Sequence, residues 1–97
     1  MDVEIVEFYE ISKEEGRFSG SLHVYIIDLN IDLRGVYVTY DEKRKTKWKF
    51  TYPTIKAIDT ETKEPVKYPV FQFSDRKKCS QLMKQIRYRG KPYIQKN

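Results

Sequence analysis

The stretch LHVYIIDLNIDLRGVYV, residues 22–38, decides the fold. Its first five residues alternate: three are aliphatic, while His23 and Tyr25 lie on the opposite face of an extended chain. Bulky side chains on both faces are typical of a central strand that is covered on both sides. An Arg-Gly pair at residues 34–35 interrupts the alternation and predicts a bend in the next strand.

Further strands are predicted on both sides of this centre. Near the N-terminus, alternation with acidic residues predicts a strand whose buried face carries Val3, Ile5, Tyr9 and Ile11. A polar turn ending at Gly16 leads from it into a second strand.

Residues 45–52 again alternate with a period of two. The aromatic residues lie on one face and the lysines on the other: Trp48, Phe50 and Tyr52 against Lys45, Lys47 and Lys49. Pro53 ends this strand, because proline cannot donate a hydrogen bond to a neighbouring strand. Residues 54–65 form the longest polar connection, with an exposed loop or hairpin tip at residues 60–65. A last strand is predicted over residues 66–73, and Pro69 places it at an edge or a bulge.

A C-terminal helix is predicted next. Ser74 is suited to cap its N-terminus, and Asp75 places a carboxylate in the first turn, where the helix dipole favours it. An apolar stripe follows at the spacing i, i+3, i+4 and i+7, formed by Cys79, Leu82, Met83 and Ile86. Gly90 and Pro92 predict the end of the helix.

These elements predict a single α+β domain over residues 1–97. We expect a twisted antiparallel sheet of about five strands (roughly residues 2–73), one C-terminal helix packed on it (roughly residues 75–89) and a short basic tail. No apolar run approaches the roughly 20 residues of a membrane span, and no secretory leader is evident, so a cytoplasmic protein away from the membrane is expected. With one cysteine and one histidine, neither a metal site nor a cofactor is predicted.

The formal charge of +5 is distributed unevenly along the chain. Residues 1–42 carry three Lys or Arg and ten Asp or Glu, which is 3 − 10 = −7. Residues 43–97 carry sixteen and four, which is 16 − 4 = +12. If the two halves stay apart in space, one surface attracts polyanions and the other repels them.

The segment KRKTKWKF, residues 43–50, is the strongest functional signal. Cationic side chains neutralise phosphates and release counterions, and flat aromatic rings stack on unpaired bases. An alternative interpretation places the aromatic rings in the core and leaves only the lysines for binding. The outer surface of the helix is also basic, with a solvated helix surface as the alternative there. The predicted nucleic-acid-binding residues are Lys43, Arg44, Lys45, Lys47 and Lys49 with Lys77, Lys84, Arg87, Arg89 and Lys91.

No catalytic set is predicted, so we expect a protein that is not an enzyme. His23 has no nucleophile tied to it by spacing, and a satisfied core histidine is the favoured interpretation. Cys79 lies on the apolar helix stripe, where packing is the favoured role. Asp28 and Asp32 could act as a carboxylate pair, but a role in a turn or in edge protection is the favoured interpretation.

In the order of these features the sequence resembles the SpoVG family of small bacterial regulators over residues 21–86. The resemblance is carried by VYIIDLNIDLRGVYV, FTYPT, VKYPVF and the helix start SDRKK. Tyr52 and Tyr68 stand where that family has methionine and histidine, and DEKRKTK replaces its compact glycine turn. The resemblance implies a small sheet-plus-helix protein that forms a homodimer through strand pairing and binds DNA or RNA as a regulator.

Two hypotheses follow. The first is a nucleic-acid-binding regulator that contacts phosphates through a basic hairpin and a basic C-terminal helix, with limited base readout. The second is a protein-interaction module that recruits a partner or a second copy through an exposed sheet edge. A small enzyme or nuclease accessory is the weakest hypothesis, because no catalytic set supports it.

Overall fold

A four-stranded antiparallel sheet forms the body of the molecule, as seen in a computed structural model that describes residues 1–96. Its strands follow each other in chain order: β1 (Val3–Glu14), β2 (Arg17–Ile26), β3 (Ile31–Asp41) and β4 (Trp48–Thr51). A short 3₁₀ turn, Ile27–Leu29, joins β2 to β3. A separate hairpin contains β5 (Thr54–Ile58) and β6 (Pro65–Pro69), and the chain ends in helix α1 (Arg76–Lys96). The α+β class is thus confirmed, with six strands in two sheets instead of about five in one.

Strand β2 is central, as its two bulky faces predict. Leu22, Val24 and Ile26 are fully buried under the helix, and His23 on the other face is 7% exposed. The alternation of β3 is interrupted at Gly35, as predicted: this residue has φ +84° and lies at a register shift between β2 and β3. This conformation requires glycine there, because side chains with a Cβ atom rarely adopt positive φ.

Strand β1 departs from the prediction at two bulges. Its pairing with β2 shifts between Ile5 and Glu7 and again between Glu10 and Ser12, so Val6 and Ile11 are extra residues. Each extra residue reverses which side chains face inward. The expectation that Tyr9 and Ile11 are buried is therefore wrong: they are 53% and 62% exposed, while Phe8 packs against the core.

Residues 54–69 form a projecting hairpin, which we call the arm. The predicted polar connection is in part strand β5, and the predicted last strand, residues 66–73, ends already at Pro69. Ile55 pairs with Tyr68, and Lys56 pairs with Lys67, so the arm has an apolar and a cationic face. Its tip, residues 59–64, overlaps the exposed loop that was predicted at residues 60–65.

A carboxylate organises this tip. Asp59 accepts hydrogen bonds from the backbone N–H groups of Thr62 (3.1 Å) and Glu61 (2.8 Å), and these bonds lower its pKa. Local side-chain bonds of this kind stabilise a turn without any contact to the core.

Helix α1 begins one residue later than Ser74 would imply, because Asp75 is its N-cap. The Asp75 carboxylate accepts a hydrogen bond from the Lys77 N–H at 2.8 Å, and its carbonyl accepts one from the Cys79 N–H at 3.1 Å. The Cys79 thiol lies between the backbone N–H and C=O of Phe73, at 3.1 and 3.0 Å. The predicted stripe faces the sheet: Leu82 and Ile86 are fully buried, and Cys79 and Met83 are partly buried.

The helix does not end near residue 89. The residues that were predicted to form a short basic tail belong to its last turns. Gly90 and Pro92 lie inside α1, which continues to Lys96. Tertiary contacts outweigh these two stop signals: Ile94 is 6% exposed in the core, and the Tyr93 hydroxyl donates to the Val6 carbonyl at 3.3 Å. Gly90 also lets the helix approach the sheet closely.

Replacement of Gly90 by leucine is expected to lower the free energy of unfolding by about 1–3 kcal/mol. A Cβ atom at this position would already lie 3.1 Å from Leu22 Cδ2 and 3.2 Å from Phe50 Cε2, so a larger side chain forces the helix away from the sheet. Urea denaturation followed by circular dichroism measures the change. Gln81→Leu, at an exposed position of the same helix, is the control and should stay within about 0.5 kcal/mol of the wild type. Equal effects of the two variants would contradict this account of the helix contact.

Candidate nucleic-acid interface

The sheet has a polar face on the side opposite the helix, which we call the outer face. Because paired residues of neighbouring strands share a face, the register aligns Ser19, Thr39 and Lys49 in one row across β2, β3 and β4. The next row contains Ser21, Tyr37 and Thr51. Short hydroxyl side chains therefore dominate these two rows of β2, β3 and β4, with one lysine and one tyrosine among them.

An open cleft of about 1070 Å³ lies between the outer face and the base of the arm. The outer face supplies hydroxyl groups such as those of Thr39 and Thr51, and the arm supplies Thr54 and Lys67. Residues of the turn between β3 and β4 line it as well. The cationic residues that line the cleft are Arg17, Arg44, Lys45, Lys47, Lys49 and Lys67.

Four positive charges of the cleft are uncompensated. Glu14 and Asp41 are the only acidic residues that line it, against six cations. Glu14 forms an ion pair with Arg17, and Asp41 lies 3.6 Å from the Arg44 guanidinium. None of the lysines within residues 1–96 forms an ion pair. Exposed lysines without carboxylate partners are free to bind an anion.

The strand order keeps much of the opposite charge apart. Acidic β1 lies at one edge of the sheet and lysine-bearing β4 at the other, because the strands follow each other in chain order. Three carboxylates still reach the basic end: Glu14 forms an ion pair with Arg17, Asp41 lies opposite Arg17 in the strand register, and Glu42 follows Asp41. The halves of the sequence are thus largely, but not wholly, separated.

The aromatic side chains between positions 43 and 52 pack toward the core. Trp48, Phe50 and Tyr52 are partly buried against the core, and the Trp48 ring stacks on Phe50 with centroids 6.0 Å apart. Trp48 also contacts Phe18 at 5.6 Å. This supports the alternative interpretation, in which the aromatic rings belong to the core and only the lysines face outward.

The structure brings together four of the ten predicted binding residues. Arg44, Lys45, Lys47 and Lys49 line the cleft, while Lys43 is exposed in the adjacent turn. The helical residues do not reach it, because α1 covers the other face of the sheet. On that side, Lys77 and Lys84 line a shallow depression, Arg87 and Arg89 are exposed, and Lys91 is partly buried.

Several residues of the cleft escaped prediction: Arg17, Tyr37, Lys67 and the hydroxyl residues Ser19, Thr39, Thr51 and Thr54. Tyr37 is opposite in parity to its buried neighbours, which could have signalled an outward side chain. Arg17 and Lys67 gave no local signal, since only the strand register and the fold of the arm bring them to the cleft.

The other chemically reactive side chains have structural partners. His23 Nε2 lies 2.9 Å from Asp32 Oδ1, and Asp28 Oδ1 accepts the Asp2 N–H at 3.1 Å. Asp28 and Asp32 thus contact different groups. Among residues 1–96 no group of three or more potential metal ligands occurs. No helix in the same part of the chain has the length and apolarity needed to span a membrane.

No protein-family model, curated protein or solved structure significantly matches this chain. Membership in the SpoVG family therefore stays a prediction from the short motifs quoted above.

Tyr52 joins the wall of the cleft to the helix. Its hydroxyl donates a hydrogen bond of 2.6 Å to the Cys79 carbonyl. Burial raises the pKa of Tyr52 to about 12, with a smaller contribution in the same direction from Cys79, while the backbone N–H of Met83 acts in the opposite direction. The neutral phenol is thus favoured in the folded state.

This raised pKa predicts a loss of stability at alkaline pH. The neutral Tyr52 phenol contributes to the free energy of unfolding. This contribution is fully present below pH 10.0, the pKa of tyrosine in the unfolded chain, and is lost as the pH rises through about 12. Tyr52→Phe cannot ionise, so its stability should decline less than that of the wild type over this range, although it is lower at neutral pH by about 1 kcal/mol for the lost hydrogen bond. Urea denaturation across the pH series measures both effects. Tyr88→Phe, 70% exposed in the wild type, should follow the wild-type curve, and parallel curves for the wild type and Tyr52→Phe would refute the assignment.

Proposed function

We propose that the protein binds nucleic acid by neutralising phosphates in the cleft. The observation that carries this proposal is the group of four uncompensated cations beside a row of hydroxyl side chains on the outer face. Lysines supply the electrostatic attraction, and serine and threonine hydroxyls commonly donate hydrogen bonds to phosphate oxygens. Neither group has a role in the core, so the packing of the domain does not account for the arrangement.

The basic surface of α1 provides a second, weaker site for phosphates. Lys77 and Lys84 lie close enough to line one depression, but that depression is shallow and has no wall opposite the helix. A long polyanion that crosses the edge of the sheet could contact both surfaces. Within this proposal the protein is a DNA- or RNA-binding regulator without catalytic activity, which agrees with what the resemblance to the SpoVG family implies.

Charge reversal in the cleft should weaken binding and reduce its dependence on salt. The triple variant Lys45→Glu, Lys47→Glu, Lys49→Glu is expected to bind oligonucleotides at least about tenfold more weakly. The slope of log K against log salt should fall by roughly 0.7 to 0.9 for each phosphate contact that is lost. Fluorescence anisotropy over a salt series measures both quantities, and circular dichroism confirms that the variant is folded.

The matched control places the same charge change on the helix, as Lys77→Glu, Lys84→Glu, Arg87→Glu. It should reduce affinity less than the cleft variant does. A larger loss in the helix variant would move the site to α1. Salt-independent binding by the wild type, or no binding to DNA and RNA at all, would refute the proposal.

Self-association through the arm is the second candidate function. Its apolar face is largely exposed, with Ile55 at 45%, Val66 at 38% and Tyr68 at 49%. A two-stranded hairpin is marginally stable alone in water, so its apolar face gains from a covering surface. The edges of β5 and β6 are open in the described part of the chain, where they pair only with each other. Strand pairing with a second copy would cover both features.

If the arm mediates a homodimer, the double variant Ile55→Asp, Tyr68→Asp should be a monomer under conditions in which the wild type is a dimer, because the charges make burial of the apolar face costly. Light scattering coupled to size exclusion measures the mass of each. The control Ile27→Asp, Leu29→Asp alters exposed apolar residues away from the arm and should leave the dimer intact. A wild type that stays monomeric at all concentrations would remove this candidate.

A further inference from the structure

Tyr37 is a large aromatic side chain without a packing role. It is 43% exposed on the outer face, and its neighbours across the two adjacent strands are Ser21 and Thr51. Both neighbours are short, so they do not cover the ring. No other aromatic ring in residues 1–96 contacts it, in contrast to the packed rings of Phe18, Tyr40 and Trp48 on the inner face.

One lysine of the cleft, Lys49, lies within one nucleotide of this ring. Tyr37 pairs directly with Thr51, and Lys49 is two residues from Thr51 on the same face of β4. Such diagonal positions across a strand pair are separated by about 7–8 Å. A base stacked on Tyr37 would thus place its own phosphate, or the next one, near the Lys49 ammonium group.

An exposed aromatic ring beside a lysine favours single-stranded over double-stranded nucleic acid. In a duplex both faces of each base are covered by the adjacent base pairs, so a side chain can stack on a base only after that base is unstacked at a cost. An unpaired base offers its face at no such cost. The cleft is also lined by Lys67 of the arm as well as by the outer face, so cations from two elements can contact the phosphates of a bound strand.

We infer that the cleft binds single-stranded nucleic acid, with one unpaired base stacked on Tyr37 and the adjoining phosphates bound by Lys49 and Lys67. This inference rests on the proposed function and specifies its ligand. Every base has a flat face, so binding of this kind tolerates many sequences.

Tyr9 offers a matched control for Tyr37. It lies in the same row of the outer face, on the other side of Ser21, and is 53% exposed. Two strand spacings of about 4.8 Å separate the two tyrosines. Tyr9 belongs to β1, which carries several glutamates, and it does not line the cleft.

The experiment compares the variants Tyr37→Thr and Tyr9→Thr with the wild type. Threonine suits a strand and occurs at the neighbouring position 39, so the sheet should be preserved, as thermal unfolding will verify. The probes are a labelled oligothymidylate of about 16 nucleotides and a duplex of equal length, titrated at one salt concentration. Tyr37→Phe keeps the ring and tests whether stacking, and not the hydroxyl, contributes.

The wild type should bind the single strand at least about tenfold more tightly than the duplex. Tyr37→Thr should raise the Kd for the single strand by about fivefold or more, whereas Tyr9→Thr and Tyr37→Phe should stay within about twofold of the wild type. Equal affinity for single strand and duplex, or no loss in Tyr37→Thr, would overturn this inference and leave phosphate binding intact. Failure of both probes to bind would instead remove the proposed function itself.

Discussion

The contact between helix α1 and the inner face of the sheet is the constraint on which the rest of the structure depends. Leu82 and Ile86 belong to one buried cluster with the aliphatic side chains of β2 and β3, and the absence of a side chain at Gly90 allows a close approach to Leu22 and Phe50. Once that face is fixed as the inner one, the period of two dictates which residues of β2, β3 and β4 point outward. The polar outer face is thus a consequence of how the core is formed, and the lysine at position 49 could not move inward without displacing Phe50.

The elements that were predictable are those in which the local pattern and the tertiary contacts agree. The alternation in β2 and the stripe of α1 each correspond to one buried face in the structure. In β1 the alternation was misleading, because two bulges change its phase and no glycine marks either of them, as Gly35 marks the irregularity in β3. At the end of α1, packing of Ile94 prevailed over the stop signals of Gly90 and Pro92.

The candidate site was predictable where it depends on parity or on the run of cations that precedes β4. The outward direction of Lys49 follows from the inward direction of Phe50, and both could be stated from the sequence. The participation of Arg17 and Lys67 depends on strand register and on the fold of the arm, which local spacing does not contain. The cations of α1 were predicted to join the site but do not. A helix that covers the inner face of a sheet directs its charged side chains to solvent, away from the outer face.

The two bulges of β1 have a consequence for the behaviour of the chain in concentrated solution. A strand of twelve residues with one side unpaired within the described chain would, if regular, be a template on which identical chains could add without limit. Val6 and Ile11 break its hydrogen-bonding rhythm, and the glutamates along it repel a second copy of themselves. The strand is therefore poorly suited to seed fibrils, even though it exposes aliphatic side chains to water.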